Sequence, residues 1–368
     1  MRTEVIVVDP IHPESVKIER AAVLLREGEV VVFPTETVYG LGADALQRRG
    51  LERVFLAKGR PLSDPLIVHI AEVSALEELT AFVSGSISER VGELTRVFWP
   101  GPLTLILPRS RRVPDLVTAG LETVAVRMPR HPVALALIRA VGSPIAAPSA
   151  NRFMHVSPTM AQHALADLDG RVPLILDGGA CEVGVESTIL DLSGSVATIL
   201  RPGGIGLEAL RAVLPDVQVL ARRNGALANQ SSDDESQQDE NIVQRAPGQM
   251  QTHYAPAVPL LLFEGSVEAM RRAMLAELRR RLEKGERIGV LVADEDVSEF
   301  EGYGTLVLSL GDGGEPERVA AGLFAGLRAL EGAGVEVILC RSFDEFGLGL
   351  AIQDRLGKAA GGRVIEVK

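Results

Sequence analysis

The sequence predicts an α/β protein with two domains joined by a polar linker. Three observations predict it. The chain has 368 residues, more than one compact core ordinarily organises. Short β-branched runs alternate with amphipathic stretches in two separate regions. Between those regions lies 224–241, NGALANQSSDDESQQDEN, with five acids, no bases and almost no large apolar side chain. Such a stretch buries too little surface to order itself, so it reads as a mobile linker. The expected boundaries are 1–215 for the first domain, 216–255 for the linker and 256–368 for the second domain.

Each element has its own justification. Residues 5–8 form a short apolar strand. Residues 14–26 read as a helix, because Ile18, Ala21, Ala22 and Leu25 fall on one face and Gly28 follows as a stop. Residues 30–33 are a buried strand run. Further strands are predicted at 66–70, 103–107, 124–128, 145–147, 174–177, 188–192 and 197–200. Helices are predicted at 51–58, 86–98, 132–141, 159–168 and 207–214. The gaps keep no strict strand–helix–strand rhythm, which points to one large, twisted, mixed sheet. In the second region, strands at 258–263, 288–293, 305–310, 335–339 and 364–367 flank helices at 267–284, 315–331 and 349–360. That alternation predicts a smaller, Rossmann-like α/β domain with a mostly parallel sheet. Gly311-Asp312-Gly313-Gly314 reads as a plain loop, and the two regions show no internal repeat.

Composition narrows the function classes. The net charge is −11. Residues 1–215 carry 21 bases and 24 acids, residues 216–255 carry 3 and 6, and residues 256–368 carry 14 and 19. No segment is basic, which weighs against a protein that grips a nucleic-acid backbone. Cys181 and Cys340 have no metal-ligand spacing, and two thiols in so long a chain exclude a disulfide scaffold. The N-terminus has no signal-peptide pattern and no apolar run approaches a membrane span, so a soluble, cytoplasmic protein is expected.

Several strand ends carry polar residues suited to an anion. In Lys58-Gly59-Arg60-Pro61, an ammonium and a guanidinium flank a glycine and can bracket a phosphate. The same tetrapeptide also reads as a helix end, with a cation in the last turn and glycine at the left-handed position. Ser149 and Asn151, after the strand at 145–147, offer a hydroxyl and an amide where α/β sheets commonly bind ligands, or make a simple turn. Glu186-Ser187-Thr188 opens one strand, and Arg201-Pro202-Gly203-Gly204 closes another. Thr35–Gly40 follows a buried strand. His69 sits inside an apolar strand, where a satisfied core histidine is the commoner role. No nucleophile elbow and no His/Cys metal cluster is present. The chemistry therefore has to rest on positioning and charge stabilisation.

Taken in order, FPTETVYGLGADA, AKGRP, PLIVHI, FWPGPLTLIL, VAVRMPRHP, APSAN, ESTILDL and ILRPGG closely resemble the YrdC-like threonylcarbamoyl-AMP synthase family across residues 14–210. Ala246-Pro247-Gly248 and His253-Tyr254-Ala255-Pro256, followed by a second α/β region, resemble its longer, two-domain type. The resemblance implies a nucleotidyltransferase that joins L-threonine, bicarbonate or CO2, and ATP into threonylcarbamoyl-AMP and pyrophosphate. The product then passes to a separate tRNA threonylcarbamoyl transferase. The resemblance implies Mg²⁺ carried by the ATP phosphates with no protein ligand assigned.

Residue by residue, the resemblance implies Lys58 and Arg60 as the catalytic cation pair. ATP would be held by these two with Ser149, Asn151, Arg201 and Tyr254. Threonine would be held by Thr35, His69, Arg127 and Ser187, with Arg127 forking onto its carboxylate and Thr37 and Tyr39 lining the pocket. His253-Tyr254 would close over the nucleotide as a lid. Gln249-Met250-Gln251-Thr252 replaces a more basic pattern seen before the His-Tyr in some members. Asp64 stands where many relatives have Asn, which reads as a minor change. Three alternatives are weighed beside this reading. The first is a carbamoyltransferase, whose relatives carry zinc-finger or acylphosphatase segments missing here. The second is an RNA-binding module, which the acidic balance opposes. The third makes the second domain an interaction module for the downstream transferase.

Overall fold

The computed structural model describes residues 2–81, 86–220, 243–250 and 254–368. The expected linker at 224–241 and the expected lid residue His253 lie outside the described residues. The first eleven strands are β1 (Glu4–Val7), β2 (Val31–Phe33), β3 (Gly40–Asp44), β4 (Ile67–His69), β5 (Leu103–Pro108), β6 (Thr123–Arg127), β7 (Ile145–Ala146), β8 (Leu174–Asp177), β9 (Thr188–Asp191), β10 (Thr198–Arg201) and β11 (Gln218–Val219). They form one sheet in the order β1-β8-β2-β3-β7-β4-β6-β5-β9-β10-β11. Parallel and antiparallel pairings are interspersed, so the sheet is mixed as predicted. It continues past residue 215, because β11 pairs with β10.

Most elements lie within a few residues of their predicted positions, since each carries a clear apolar face. Strand β3 was read only as part of a motif, because Gly40 and Gly42 hide its strand character. Its glycines are there for close approach. A Cβ on Gly42 would lie 2.7 Å from the Phe33 ring and 2.8 Å from Ile145.

The two halves of this sheet are covered differently. Around β1, β8 and β2, the helices Ser15–Arg26 and Pro132–Val141 cover one face with Ile18, Leu25, Leu137 and Ile138. Val30 and Val32 turn to the other face, where Leu51 and Val54 of the helix Arg48–Lys58 meet them. In the β4–β6–β5–β9–β10 half, Val68, Val126, Leu105, Leu190 and Ile199 point into that same helix-covered core. The alternate residues Ile67, Ala125, Ile106, Ile189 and Leu200 point to the opposite face, as the two-residue strand period requires. That face carries only a small apolar cluster, completed by Ala246.

The second sheet comprises β12 (Leu260–Glu264), β13 (Ile288–Val292), β14 (Leu306–Ser309), β15 (Val337–Arg341) and β16 (Val364–Glu366). Its order is β14-β13-β15-β12-β16, with every pairing parallel. Both faces are helix-covered, as a parallel sheet requires. Helix Val267–Leu282 supplies Met270, Met274 and Leu278 to one side. Helices Pro316–Gly332 and Gly349–Ala360 supply Leu323, Phe324, Leu327, Ile352 and Leu356 to the other.

Those last two helices also cover the open half-face of the first sheet. Val38, Val156, Val185 and Tyr254 belong to their apolar cluster. Contact is close enough that a Cβ on Gly184 would sit 2.4 Å from the Ala321 backbone. Polar ties add to it. Arg328 pairs with Asp167 at 2.7 Å, and His155 bridges Asp167 and Glu331 at 2.9 Å each. Burial alone would push the His155 imidazole down, but hydrogen bonds to the two carboxylates outweigh it and raise it to about 9. No described helix is long and apolar enough to cross a membrane.

Candidate active site

A cavity of about 540 Å³, counting its open mouth, lies on this half-face beneath Pro247, Gly248 and Tyr254. Its floor is β4 and β6. Ile67 and His69 stand two residues apart on β4, and Arg127 pairs with His69 across the ladder. The site therefore rests on the face of the sheet, rather than only at the strand ends where the sequence placed it.

One wall comes from β10, and a bulge aims it. Ile199 lies opposite Leu190, on the core side, and regular alternation would send Arg201 the same way. The register shifts between them, so Arg201 lies opposite Ile189 and shares its face. There it donates to the Ser187 carbonyl at 2.9 Å, the Ser187 hydroxyl at 3.2 Å and the Pro247 carbonyl at 3.4 Å. Gly203 brings this loop onto the strand opening at Glu186. A Cβ there would lie 2.3 Å from the Glu186 carbonyl oxygen, so no larger residue fits.

The roof is the segment Pro247–Gly248 with Tyr254. Gly248 has φ +80°, and a Cβ on it would meet the Tyr254 hydroxyl at 2.4 Å. Tyr254 itself has φ +58°, a left-handed conformation that costs a side chain roughly 1–2 kcal/mol. Its ring is held against Phe324, with centroids 5.7 Å apart.

Buried charge dominates the chemistry. Arg60 pairs with Asp64 at 2.8 Å, and both are buried. Burial raises the Asp64 carboxyl above its ordinary value, with Arg60 and Lys58 opposing. Asp64 is thus far from a minor change, because it neutralises the cation expected to meet phosphate. Arg127 pairs with Glu36 at 2.7 Å and donates to the Thr37 hydroxyl at 2.9 Å and the Gly101 carbonyl at 3.2 Å. Three of its donors are therefore engaged within the protein. His69 is pushed down to about 3 by burial and the Arg127 charge, so it is neutral near pH 7. Its Nδ1 is buried with no hydrogen-bond partner in the protein.

The structure brings together Thr35, Thr37, Arg60, His69, Arg127, Ser149, Ser187, Arg201 and Tyr254 around the cavity. Lys58, Asn151 and Tyr39 are not among its lining residues. Lys58 ends its helix, with Gly59 left-handed, and sends its ammonium to the carbonyls of Ser149 and Asn151 at 2.5 Å each. It thereby fixes the turn that presents Ser149. Asn151 spends its amide on the Arg152 and His155 carbonyls at 2.7 and 2.8 Å. Tyr39 donates to the Gly179 carbonyl at 2.6 Å. Thr35 is spent partly on its own turn, donating to the Val38 carbonyl at 2.6 Å.

Comparison with known proteins decides the family. Residues 23–203 match the Sua5_yciO_yrdC family, whose description is "Telomere recombination", and residues 205–361 match "Threonylcarbamoyl-AMP synthase, C-terminal domain". The threonylcarbamoyl-AMP synthase of Bacillus subtilis is 46% identical over 98% of this chain and 97% of its own length. The chain belongs to the threonylcarbamoyl-AMP synthase family. The Pyrococcus abyssi member is 43% identical over 96% of this chain and 97% of its own. The crystal structure of P. abyssi Sua5 complexed with L-threonine aligns with a TM-score of 0.88 at 41% identity, covering all of both chains.

Sequence reasoning gave no site role to Glu186, which lines the cavity, or to Glu36, Asp64 and Arg355, which pair with charges that line it. Glu36 and Glu186 lie inside the quoted motifs and carried a signal. Arg355 carried none, because it reaches Glu186 from an unremarkable helix of the second domain.

Proposed function

We propose that this protein is an L-threonylcarbamoyladenylate synthase, making threonylcarbamoyl-AMP and pyrophosphate from L-threonine, bicarbonate or CO2, and ATP. The observation that carries it is the single cavity uniting Arg60, Arg127 and Arg201 with hydroxyls and a neutral imidazole, in a chain aligned end to end with this family. Threonine's amine condenses with bicarbonate, losing water, to give a carbamate. A carbamate oxygen attacks the α-phosphorus, and the bond from that phosphorus to the β-bridging oxygen breaks. Pyrophosphate leaves with the electron pair.

In this reading Arg60 and Arg201 offset charge on the triphosphate, and Ser149 donates to a phosphate oxygen. Lys58 acts behind Ser149, holding its turn. Asn151 supports the same turn. Arg127, through the N–H groups it does not spend internally, receives the threonine carboxylate. Neutral His69, Ser187 and the Thr35–Thr37 hydroxyl pair offer partners to the amine and hydroxyl. Tyr254 excludes water that would otherwise hydrolyse the mixed anhydride. In this reading magnesium belongs to the substrate, arriving on the triphosphate. The product passes to a separate transferase in the cytoplasm for tRNA threonylcarbamoyladenosine formation.

Pyrophosphate release is the test, run with each of the twenty amino acids. Release should need threonine and bicarbonate together. Equal release with either omitted would point to another acceptor and overturn the reading.

A further inference from the structure

Two of the three cavity arginines are already neutralised, Arg60 by Asp64 and Arg127 by Glu36. Arg201 differs. Among the described residues no carboxylate lies within ion-pair distance of it, and its donors go to Ser187, Pro247 and the Tyr254 hydroxyl. Yet a carboxylate lines the same cavity. Glu186 directly precedes Ser187, is buried, and acts electrostatically on Arg201. Left alone it would be the natural partner of Arg201 and a repulsive neighbour for any polyphosphate.

Glu186 is instead taken by Arg355, which comes from the helix Gly349–Ala360 of the second domain. Arg355 is fully buried. Its Nε donates to Glu186 at 2.8 Å, and its terminal nitrogens donate to the Pro202 carbonyl at 3.0 Å and to Asp354 at 2.6 Å. Ser157 donates to the other oxygen of Glu186 at 2.5 Å. The same guanidinium lies over the Tyr254 ring, 4.9 Å from its centroid. One turn on, Lys358 donates to the Gly248 carbonyl at 2.6 Å, gripping the roof beside it. A planar fork is needed to reach a carboxylate, a carbonyl and an aromatic face at once, and a lysine offers none.

We infer that Arg355 is a positioning residue for ATP: it occupies Glu186 so that the charge of Arg201 stays available to the polyphosphate, and it seats Tyr254 over the cavity. The second domain is thereby a working part of the nucleotide site. This rests on the reading of the cavity as an ATP site.

Calorimetric titration of the full chain with MgATP and, separately, with L-threonine tests it. Arg355→Met should weaken ATP binding at least about tenfold, because Glu186 then turns on Arg201, while threonine binding stays within about twofold. Arg355→Lys should lose part of that affinity. Glu186→Gln alone should leave ATP affinity unchanged or tighter. Combined with Arg355→Met, it should restore ATP binding to within about threefold of the parent. The inference fails if Arg355→Met binds ATP normally, if it loses both ligands equally, or if the double variant recovers nothing. Should Arg355→Met not fold, Glu186→Gln carries the test: a tenfold loss of ATP affinity there would make Glu186 itself a nucleotide partner. A parent protein that binds ATP but releases no pyrophosphate would sink the proposed activity and leave the role of Arg355 standing.

Discussion

The two sheets solve the same burial problem in opposite ways. The five-stranded parallel sheet is filled on both faces by apolar side chains, and its helices were legible from periodicity alone. The site half of the eleven-stranded sheet is filled on one face only. Its other face is left to arginines, carboxylates and hydroxyls, and is closed by a roof segment and by helices from the other domain. Stability concentrates where apolar contacts are redundant. Function concentrates where buried charge is held by a few specific partners, each costly to remove.

That contrast can be broken most sharply at Arg60. Arg60→Ala strands the buried Asp64 and should cost about 4 kcal/mol of stability and about a hundredfold in turnover. Adding Asp64→Asn should recover the melting temperature but not turnover. If turnover returned as well, the pair would be only a structural cap. On the filled sheet, Leu339→Ala should cost about 3 kcal/mol by leaving a cavity, yet leave the KM for ATP and threonine unchanged in folded protein. A KM shift there would show that the two sheets are not separable in function.

Gly203→Ala probes the junction of loop and strand. Its Cβ would press on the backbone of Glu186–Thr188, and a loss of about 2 kcal/mol is expected in chemical denaturation. Activity should fall with it, since Arg201 moves off Ser187. The smallest effect concerns the seam between the domains. His155 is raised to about 9 in the fold, so its contribution is complete below its ordinary value of about 6.5 and is lost as pH rises through 9. The melting temperature should decline across that window, and His155→Gln should flatten the decline. An unaltered slope in the variant would assign the pH dependence to other groups.

Both domains, and nearly every strand and helix, were legible because an apolar stripe at period 2 or 3.6 is a local property. Strand β3 escaped because Gly40 and Gly42 are chosen for what approaches them, Phe33 with Ala147 at the first and Phe33 with Ile145 at the second, and nothing local announces that. Among the residues that line the cavity, Arg60, Arg127, Ser149, Ser187 and Arg201 stand out in the motifs. Lys58 was readable both as a helix end and as an anion partner, and the structure shows the helix end with its ammonium spent on backbone carbonyls.

Sequence alone thus determined the element types, the α/β class with a mixed and a parallel sheet, and the residue chemistry offered to a ligand, since propensity, periodicity and motif all act over short spans of chain. Only the tertiary structure decided which charges cancel. The pairing of Asp64 with Arg60, the bulge that turns Arg201 to the cavity side and the arrival of Arg355 at Glu186 from 169 residues away depend on through-space distance. Electrostatic energy follows that distance, and the order of residues along a chain does not encode it directly.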